Sequence, residues 1–351
     1  MFVSLNQKNS NMENVKEQSN SPIVAFDLGS KNSVVVSDGK VVVDVPSIMA
    51  ISYEEGVVRI LAKWEDAMRM VGRGSQDFML LHENNFHYNN VEYFVRELAL
   101  EAKEQCTISA ETRIGVGIPI DFTYAKRLCL REAFEKIGCT NVFVMKSPFA
   151  VAISHGFDVS GTRGIMIIDI GNEKTQIAVL CMDRIVVEKC IPVGGDSFTR
   201  AIQNGVRCEY GIRISEHSSE EIKKILGTTN PNVENAPSEY VVRGPHQVTA
   251  SPMEKNLAPD EIAGWFDELA KSIENSVYNV LDETPPELFN DIASDGIWLS
   301  GGGSLLHGLS ERLEKQTNIK VKPVDDPFHS VARGVEMAMK DMNNYQFIVK
   351  L

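Results

Sequence analysis

One short unit is spelled twice in this chain, and that repetition restricts the fold more than any composition figure. Ile23-Val24-Ala25-Phe26-Asp27-Leu28 is an apolar run carrying an acid near its end; Gly29-Ser30-Lys31-Asn32-Ser33 turns, and Val34-Val35-Val36 runs back. The order returns at Ile165-Met166-Ile167-Ile168-Asp169-Ile170, then Gly171-Asn172-Glu173-Lys174-Thr175, then residues 177–181. A third strand-like run follows each hairpin, at 40–45 after Asp38-Gly39 and at 185–191 after Asp183-Arg184. A supersecondary unit that recurs is a fold-level signal. It predicts two like-folded lobes, each offering a hairpin tip and a carboxylate to a shared cleft. One strand-end acid beside a turn is commonplace; a pair in register within a repeat points to chemistry.

A second feature sits at Gly296-Ile297-Trp298-Leu299-Ser300-Gly301-Gly302-Gly303-Ser304-Leu305. A short apolar strand runs into three glycines, and a helix is expected to open directly behind them at Ser304. Glycines let the backbone pass close to a flat or phosphorylated ligand because no Cβ intervenes. The helix start would add unpaired N–H groups and a positive dipole end. Taken alone, the segment fits a tight αβ turn without a ligand equally well.

Between these landmarks the periodicity predicts helical pieces around 63–71 and 91–103 within mixed polar text, a buried strand at 114–118 and a helix over 123–138. In that helix Leu130, Ala133, Phe134 and Ile137 follow helical spacing and Gly138 supplies a stop. A strand at 142–145, a short helix at 149–154, another at 219–226 and a Thr-Asn-Pro linker at 227–236 follow. The most amphipathic helix is expected over 259–281, a strand at 320–323 and a last helix over 330–342.

With 351 residues the chain has material for two lobes with separate cores. Its net charge of −13 argues against a broad nucleic-acid footprint, which needs a basic face. The six cysteines are scattered without a Cys-x-x-Cys pair or a histidine cluster, so they read as buried free thiols. No run approaches the roughly 18–20 apolar residues of a membrane span. The first 20 residues are rich in Asn, Gln and Ser and read as a disordered tail.

Taken together, these pieces resemble the superfamily of actin, sugar kinases and seventy-kilodalton chaperone ATPases, and within it the MreB family of bacterial actins. The carriers are Phe26-Asp27-Leu28-Gly29-Ser30-Lys31-Asn32-Ser33, Val45-Pro46-Ser47-Ile48-Met49-Ala50-Ile51, Val193-Gly194-Gly195-Asp196-Ser197-Phe198 and Glu220-Glu221-Ile222-Lys223. Thr284-Pro285-Pro286-Glu287-Leu288, the glycine edge, Asp325-Asp326-Pro327-Phe328 and Arg333-Gly334 complete the set, which covers about 23–338. The resemblance implies an α/β actin-like ATPase fold of two duplicated, ribonuclease H-like lobes with smaller inserted subdomains. Residues 22–163 with 327–351 would form one lobe, with its small subdomain at about 51–113. Residues 164–326 would form the other, with its small subdomain at about 199–255.

The resemblance further implies that the lobes close on ATP and Mg²⁺. Gly29, Ser30, Lys31 and Asn32 would meet the β- and γ-phosphates, and Gly171, Asn172 and Glu173 would approach from the other lobe. Asp27 and Asp169 would hold the metal, mainly through its waters. Gly194, Gly195 and Asp196 would line the site; Gly301, Gly302, Gly303, Ser304 and Leu305 would pass under the adenosine, with Glu220 and Lys223 at the ribose and base. Self-association into cytoplasmic filaments that organise cell shape and cell-wall synthesis follows from the same resemblance, with adaptor proteins as further partners.

Three departures from that pattern stand out. MreB proteins usually carry a glycine run and two threonines where this chain has Gly171-Asn172-Glu173-Lys174-Thr175. Glu173 would add a charge like that of phosphate; at an effective dielectric near 20 such a pair about 4 Å apart costs on the order of 4 kcal/mol. Lys174 and Lys31, the latter where the family usually has alanine, are the candidates to offset it, unless all three side chains point outward. Second, the glutamate expected just before the proline of the bridging helix, where it positions the attacking water, is replaced by Ser147 in Lys146-Ser147-Pro148. Loss of a positioned base slows a reaction roughly 10²–10⁴-fold, so slow or altered hydrolysis is expected, with Glu173 as a substitute acid. Third, the N-terminus offers no membrane-binding face, while Phe86, Tyr88, Tyr93 and Phe94 form either an apolar loop or core packing; direct membrane contact stays open. The competing readings are a metabolic kinase, a chaperone ATPase, and a non-hydrolysing paralogue that copolymerises with or regulates a standard family member. The first would need a sugar-binding acid and larger insertions than are found here, and the second would carry a peptide-binding domain after the ATPase.

Overall fold

The computed structural model describes residues 21–54, 57–81, 88–230 and 239–351. The expected tail over the first 20 residues, part of the Thr-Asn-Pro linker, and the side chains of Phe86 and Tyr88 lie outside the described residues.

Strands β1 (Ile23–Leu28), β2 (Asn32–Ser37) and β3 (Lys40–Pro46) form an antiparallel meander. A separate three-stranded sheet follows from β4 (Ile48–Glu54), β5 (Val57–Lys63) and β6 (Asp77–Leu80). The chain then returns to the first sheet through β7 (Arg113–Ile118) beside β1 and β8 (Val142–Lys146) beside β7, both parallel. The second sheet repeats the plan. Here β9 (Ile165–Ile170), β10 (Thr175–Cys181) and β11 (Arg184–Ile191) make the meander. After the hairpin β12 (Tyr240–Pro245) and β13 (Pro252–Leu257), strands β14 (Ile297–Ser300) and β15 (Val321–Pro323) add in parallel beside β9. The spatial orders β3-β2-β1-β7-β8 and β11-β10-β9-β14-β15 are the same order. In both meanders a bulge interrupts the pairing of the second strand with the third. The last strand, β16 (Val349–Lys350), extends the first sheet beyond β8.

The helices are α1 (Trp64–Met70), α2 (Tyr88–Ala102), α3 (Tyr124–Lys136), α4 (Ser147–Ser154) and α5 (Gly195–Tyr210). They continue with α6 (Glu216–Leu226), α7 (Pro259–Glu283), α8 (Pro286–Asp295), α9 (Leu309–Thr317) and α10 (Ser330–Lys340). The sequence pattern anticipates most of them, but not α5 or α8, and it opens the helix behind the glycine edge at Ser304 rather than at Leu309. It also misses the β4–β6 sheet and the β12–β13 hairpin; the hairpin strands are largely exposed and β5 is exposed or half-buried, whereas β4 is buried from Ile48 to Ile51.

Both central strands are apolar on both faces because each feeds two cores. Val24 and Phe26 pack into the first-lobe core while Ala25, between them, points the other way. Met166, Ile168 and Ile170 pack into the second-lobe core while Ile167 turns toward the first lobe. This two-period distribution is what a strand covered on both sides requires. The layer between the sheets is built on α4 and α10, with Ala25, Val34 and Val36 from one side and Ile167, Ala178 and Leu180 from the other.

Helix α4 is apolar around most of its circumference, as expected for a helix buried between sheets, and residues 147–153 are all buried. Pro148 suits its first turn, and Gly156, at φ +77°, follows its end. Helices α4 and α10 meet backbone to backbone at Gly334, where a Cβ would collide with the Ala150 carbonyl. Gly334→Ala is therefore expected to lower stability by about 3 kcal/mol or more. Thermal denaturation checks it: a melting temperature equal to that of the parent would show that the two helices separate without cost.

The six cysteines are all free, but only Cys139 and Cys181 are buried, and Cys208 is exposed. Phe94 belongs to the first-lobe core beside Trp64, and Tyr93 packs against the same core with Arg96 over its ring. Core packing is thus the reading for these two aromatics. Among the described residues no helix is long and apolar enough to cross a membrane.

Candidate functional site

The first hairpin tip is shaped by glycine and then pinned by Ser47. At Gly29 a Cβ would collide with the Asn32 carbonyl. The Ser47 backbone N–H donates to Lys31 O (2.8 Å) and its hydroxyl donates to Gly29 O (2.6 Å). Ser33 Oγ lies 2.8 Å from Ser47 Oγ. These bonds turn the tip's carbonyls into the protein. Among the described residues, no protein group accepts from the backbone N–H of Ser30 or Lys31. Two free N–H groups on a tight turn form a concavity suited to an anion. Asn32 Nδ2 donates to Asp44 Oδ1 (3.1 Å), whose other oxygen lies 3.1 Å from His329 Nε2.

The two acids occupy equivalent places at the ends of β1 and β9. Asp27 lies opposite Val34 and Gly117; Asp169 lies opposite Gln176 and Ser300. Burial pushes the Asp27 carboxyl up to about 7, the Asp169 charge adds to the shift and His329 opposes it. Burial likewise pushes Asp169 up to about 6. Gln176, which sequence reasoning missed, donates from Nε2 to Asp169 Oδ2 (3.2 Å) and accepts at Oε1 from Ile120 N–H (2.7 Å). A signal for it existed: within the repeat Gln176 stands where the first copy has Val34, an amide at an otherwise apolar position. Among the described residues no group of three or more His, Cys, Asp or Glu side chains is placed to hold a metal ion unaided.

The second tip uses its backbone differently. Gly171 N–H donates to Lys174 O (2.9 Å), while Gly195 and Asp196 N–H groups donate to Gly171 O (2.9 Å) and Asn172 O (2.8 Å). Gly194 N–H donates to Ser197 Oγ (3.3 Å), and a Cβ on Gly194 would stand 2.6 Å from Asn172 O. The start of α5 is thus capped by the loop it faces, and its glycines permit that close approach. Asp196 pairs with Arg200 (2.6 Å). Lys174 crosses to the other lobe, where Nζ lies 2.8 and 2.7 Å from the two oxygens of Asp121. Glu173 lies half-buried in the same turn. Asn172 Nδ2 approaches Ser30 Oγ at 3.5 Å.

On α6, Lys223 Nζ donates to Glu220 Oε2 (2.7 Å), Thr199 Oγ1 (2.9 Å) and Gly195 O (3.0 Å), so all three of its donors are used within one lobe. Burial would raise the Glu220 carboxyl, but Lys223, the Thr199 hydroxyl and the more distant Lys31 hold it below the ordinary range. Burial lowers the Lys223 ammonium against the opposing pull of Glu220. Lys31, from the first lobe's tip, acts on both residues.

The glycine edge differs from expectation in one respect. No α-helix opens at Ser304; a single 3₁₀ turn spans Gly302–Leu305, and α9 begins only after Gly308, at φ +76°. The reason is local: the Ser304 N–H and hydroxyl both bond back to Gly301 O, at 3.0 and 2.7 Å. Gly301 takes φ +76°, with its Cβ direction 2.6 Å from Asp169 Oδ1. A Cβ on Gly303 would collide with Ile170, and one on Gly302 would come within 2.9 Å of the Phe328 ring. The edge therefore lies directly against the second acid, with Leu305 and Phe328 left exposed. Ser147, at the start of α4, is buried and donates its hydroxyl to Ile118 O (3.1 Å).

Two sheets of one topology, joined across two central helices and each carrying an acid beside a hairpin tip, define an actin-like fold. MreB5 of Spiroplasma citri bound to ADP superposes with TM-score 0.84 at 24% identity, covering 93% of this chain and 99% of that one. The MamK double helical filament gives TM-score 0.73 at 16% identity over 90% of this chain and 98% of that one. Among sequences, the cell shape-determining protein Mbl of Bacillus cereus is 31% identical over 91% of this chain and 96% of its own length. The cell shape-determining protein MreB of Escherichia coli is also 31% identical, over 90% of this chain and 93% of its own length. The family model described as MreB/Mbl protein matches residues 21–347, and this chain belongs to that family of bacterial actin homologues.

The raised carboxyls have a pH consequence. The folded chain binds protons at Asp27 and Asp169 more tightly than the unfolded chain, so the ligand-free protein loses stability as pH rises from about 4 to about 7. Asp27→Asn should remove much of that slope and melt higher than the parent at pH 8. Melting curves at pH 5 and pH 8 check this; an unchanged slope in the variant would assign the effect elsewhere.

Proposed function

We propose that the cleft binds ATP with Mg²⁺ and that the protein assembles into cell-shape filaments while hydrolysing ATP slowly. The observation that carries the binding reading is the pair of free N–H groups at Ser30 and Lys31 beside two proton-hungry carboxylates, Asp27 half-buried and Asp169 buried. Gly29, Ser30, Lys31 and Asn32 cradle the β- and γ-phosphates, and Gly171, Asn172 and Glu173 approach from the other lobe. Asp27 and Asp169 suit a hard cation, since both offer oxygen and, among the described residues, neither forms an ion pair. Two carboxylates leave most of an octahedral shell to water and phosphate oxygens, which is how Mg²⁺ is commonly held. When bound, the metal would neutralise phosphate charge. Gly301, Gly302, Gly303, Ser304 and Leu305 form the floor under the adenosine. Gly194, Gly195 and Asp196 support the second tip from behind, and Glu220 with Lys223 stiffens the ribose side. MreB5 of Spiroplasma citri was solved with both ADP and AMPPNP, and MamK with AMPPNP, which supports the reading.

For the lobes, we take 22–163 with 327–351 as one body and 164–326 as the other. The packing of α10 on β1, β2 and β7 and the pairing of β16 with β8 support the return of the C-terminus to the first. Self-association is supported by the MamK filament. A cytoplasmic position, with contact to the inner membrane face or to cell-wall synthesis adaptors, extends from the family's cell-shape role.

Slow hydrolysis rests on Ser147. Its hydroxyl is engaged by the Ile118 carbonyl, and no carboxylate replaces the missing one on α4. The same observation favours a second reading, a non-hydrolysing paralogue that copolymerises with or regulates a standard family member. Two measurements separate the outcomes. Asp27→Ala should weaken Mg-ATP binding at least tenfold, measured with a fluorescent ATP analogue; equal affinity would place the nucleotide elsewhere. Ser147→Glu should raise phosphate release by a factor on the order of ten or more. A parent protein already as fast as that variant would end the slow-hydrolysis reading.

A further inference from the structure

The segment 172–176 does more than close the second hairpin: it reaches the first lobe through alternate residues. Lys174 Nζ holds both oxygens of Asp121 at 2.8 and 2.7 Å, and Gln176 Oε1 accepts from Ile120 N–H at 2.7 Å. Two residues of one hairpin arm therefore grip two consecutive residues of the loop that follows β7. Asn172 adds its approach to Ser30, and farther along the same seam Lys146 pairs with Glu188 at 3.0 Å. The sulfur of Cys190, on β11, lies 3.6 Å from the same Asp121 oxygen that Lys174 holds.

The Lys174–Asp121 pair is unlike an ordinary surface ion pair. The lysine side chain is only 11% exposed, against 43% for Asp121, and its ammonium meets both carboxylate oxygens. Burial would raise the Asp121 carboxyl, yet Lys174 keeps it below the ordinary range, so the pair stays charged near neutral pH. Each of these contacts is a bond between protein groups alone. They also fall on the residues where this chain departs from the glycines and threonines usual at the second tip; neither of those residues carries an ammonium.

We propose that Lys174 and Asp121 form a latch that holds the two lobes together in the absence of nucleotide, so that cleft closure in this protein is not conditional on a γ-phosphate. The ATP reading makes the second tip a phosphate contact; the latch gives the same tip a second task, lobe coupling, and has a test that needs no nucleotide.

The experiment is an interlobe distance measurement on the full-length protein, stripped of nucleotide and metal. Spin labels go on Tyr53→Cys in the first lobe and Val248→Cys in the second, both exposed sites, with Cys208→Ser to remove the exposed native thiol. The parent should show one narrow, short distance. Asp121→Asn and Lys174→Thr should each shift the closed-to-open ratio by about tenfold toward a longer, broader distribution. The charge reversal Asp121→Lys with Lys174→Asp should recover much of the short distance. A parent that is already broad, or a folded Asp121→Asn variant with an unchanged distribution, overturns the latch. Adding Mg-ATP to Asp121→Asn then examines the other reading separately: renewed closure supports the nucleotide site, and its absence counts against that site without touching the nucleotide-free comparison.

Discussion

Asp27 and Asp169 are brought to the ends of equivalent strands by a duplicated topology, and burial leaves their combined charge with little to balance it. Two such groups cannot both ionise comfortably without a cation between or beside them. The surroundings are arranged around this constraint. Gly301 keeps its backbone against Asp169, Gln176 donates one N–H to the same carboxylate, and His329 lends distant positive charge to Asp27. The free N–H groups of Ser30 and Lys31 then supply a place for negative charge, next to the carboxylates that the proposed function assigns to a metal.

Much of this was readable from residues alone. The repeated strand, acid and glycine turn predicts two sheets of one order, because both copies spell the same local geometry. The glycine edge is also legible, although its reason is not. Its glycines are required by the bulk of Ile170, the Asp169 carboxylate and the Phe328 ring, contacts made by residues distant in sequence. The expected helix at Ser304 fails because a serine hydroxyl bonding back to Gly301 stabilises a 3₁₀ turn just as well. Gln176 escapes a one-strand reading, since an amide beside a buried acid shows only once the two hairpins are overlaid. The β4–β6 sheet is obscure for another reason: β4 packs into a core on each face and β5 leaves Val57 and Leu61 exposed, so neither strand shows the alternation of apolar and polar residues that marks a strand.

The departures at the second tip take on a different meaning in three dimensions. As sequence, Asn172, Glu173 and Lys174 read as intrusions on a phosphate loop. In the fold, Lys174 reaches Asp121, and the start of α5 is capped by carbonyls of Gly171 and Asn172. The tip is held by the protein on both sides. Ser147 follows the same trend, with its hydroxyl engaged by Ile118. Under the proposed function, these tethers are what would favour retaining nucleotide over turning it over.

The most direct test of the metal-and-nucleotide account is proton release on binding. If Mg-ATP neutralises the charge shared by Asp27 and Asp169, it must displace protons those carboxyls hold at mildly acidic pH. Calorimetric titration at pH 6 and pH 8.5, in buffers of different ionisation enthalpy, measures this. The account predicts a net proton release at pH 6 beyond that of Mg-ATP itself, almost absent at pH 8.5 and reduced in Asp27→Asn. Binding with no excess release at pH 6, or no binding at all, would contradict it.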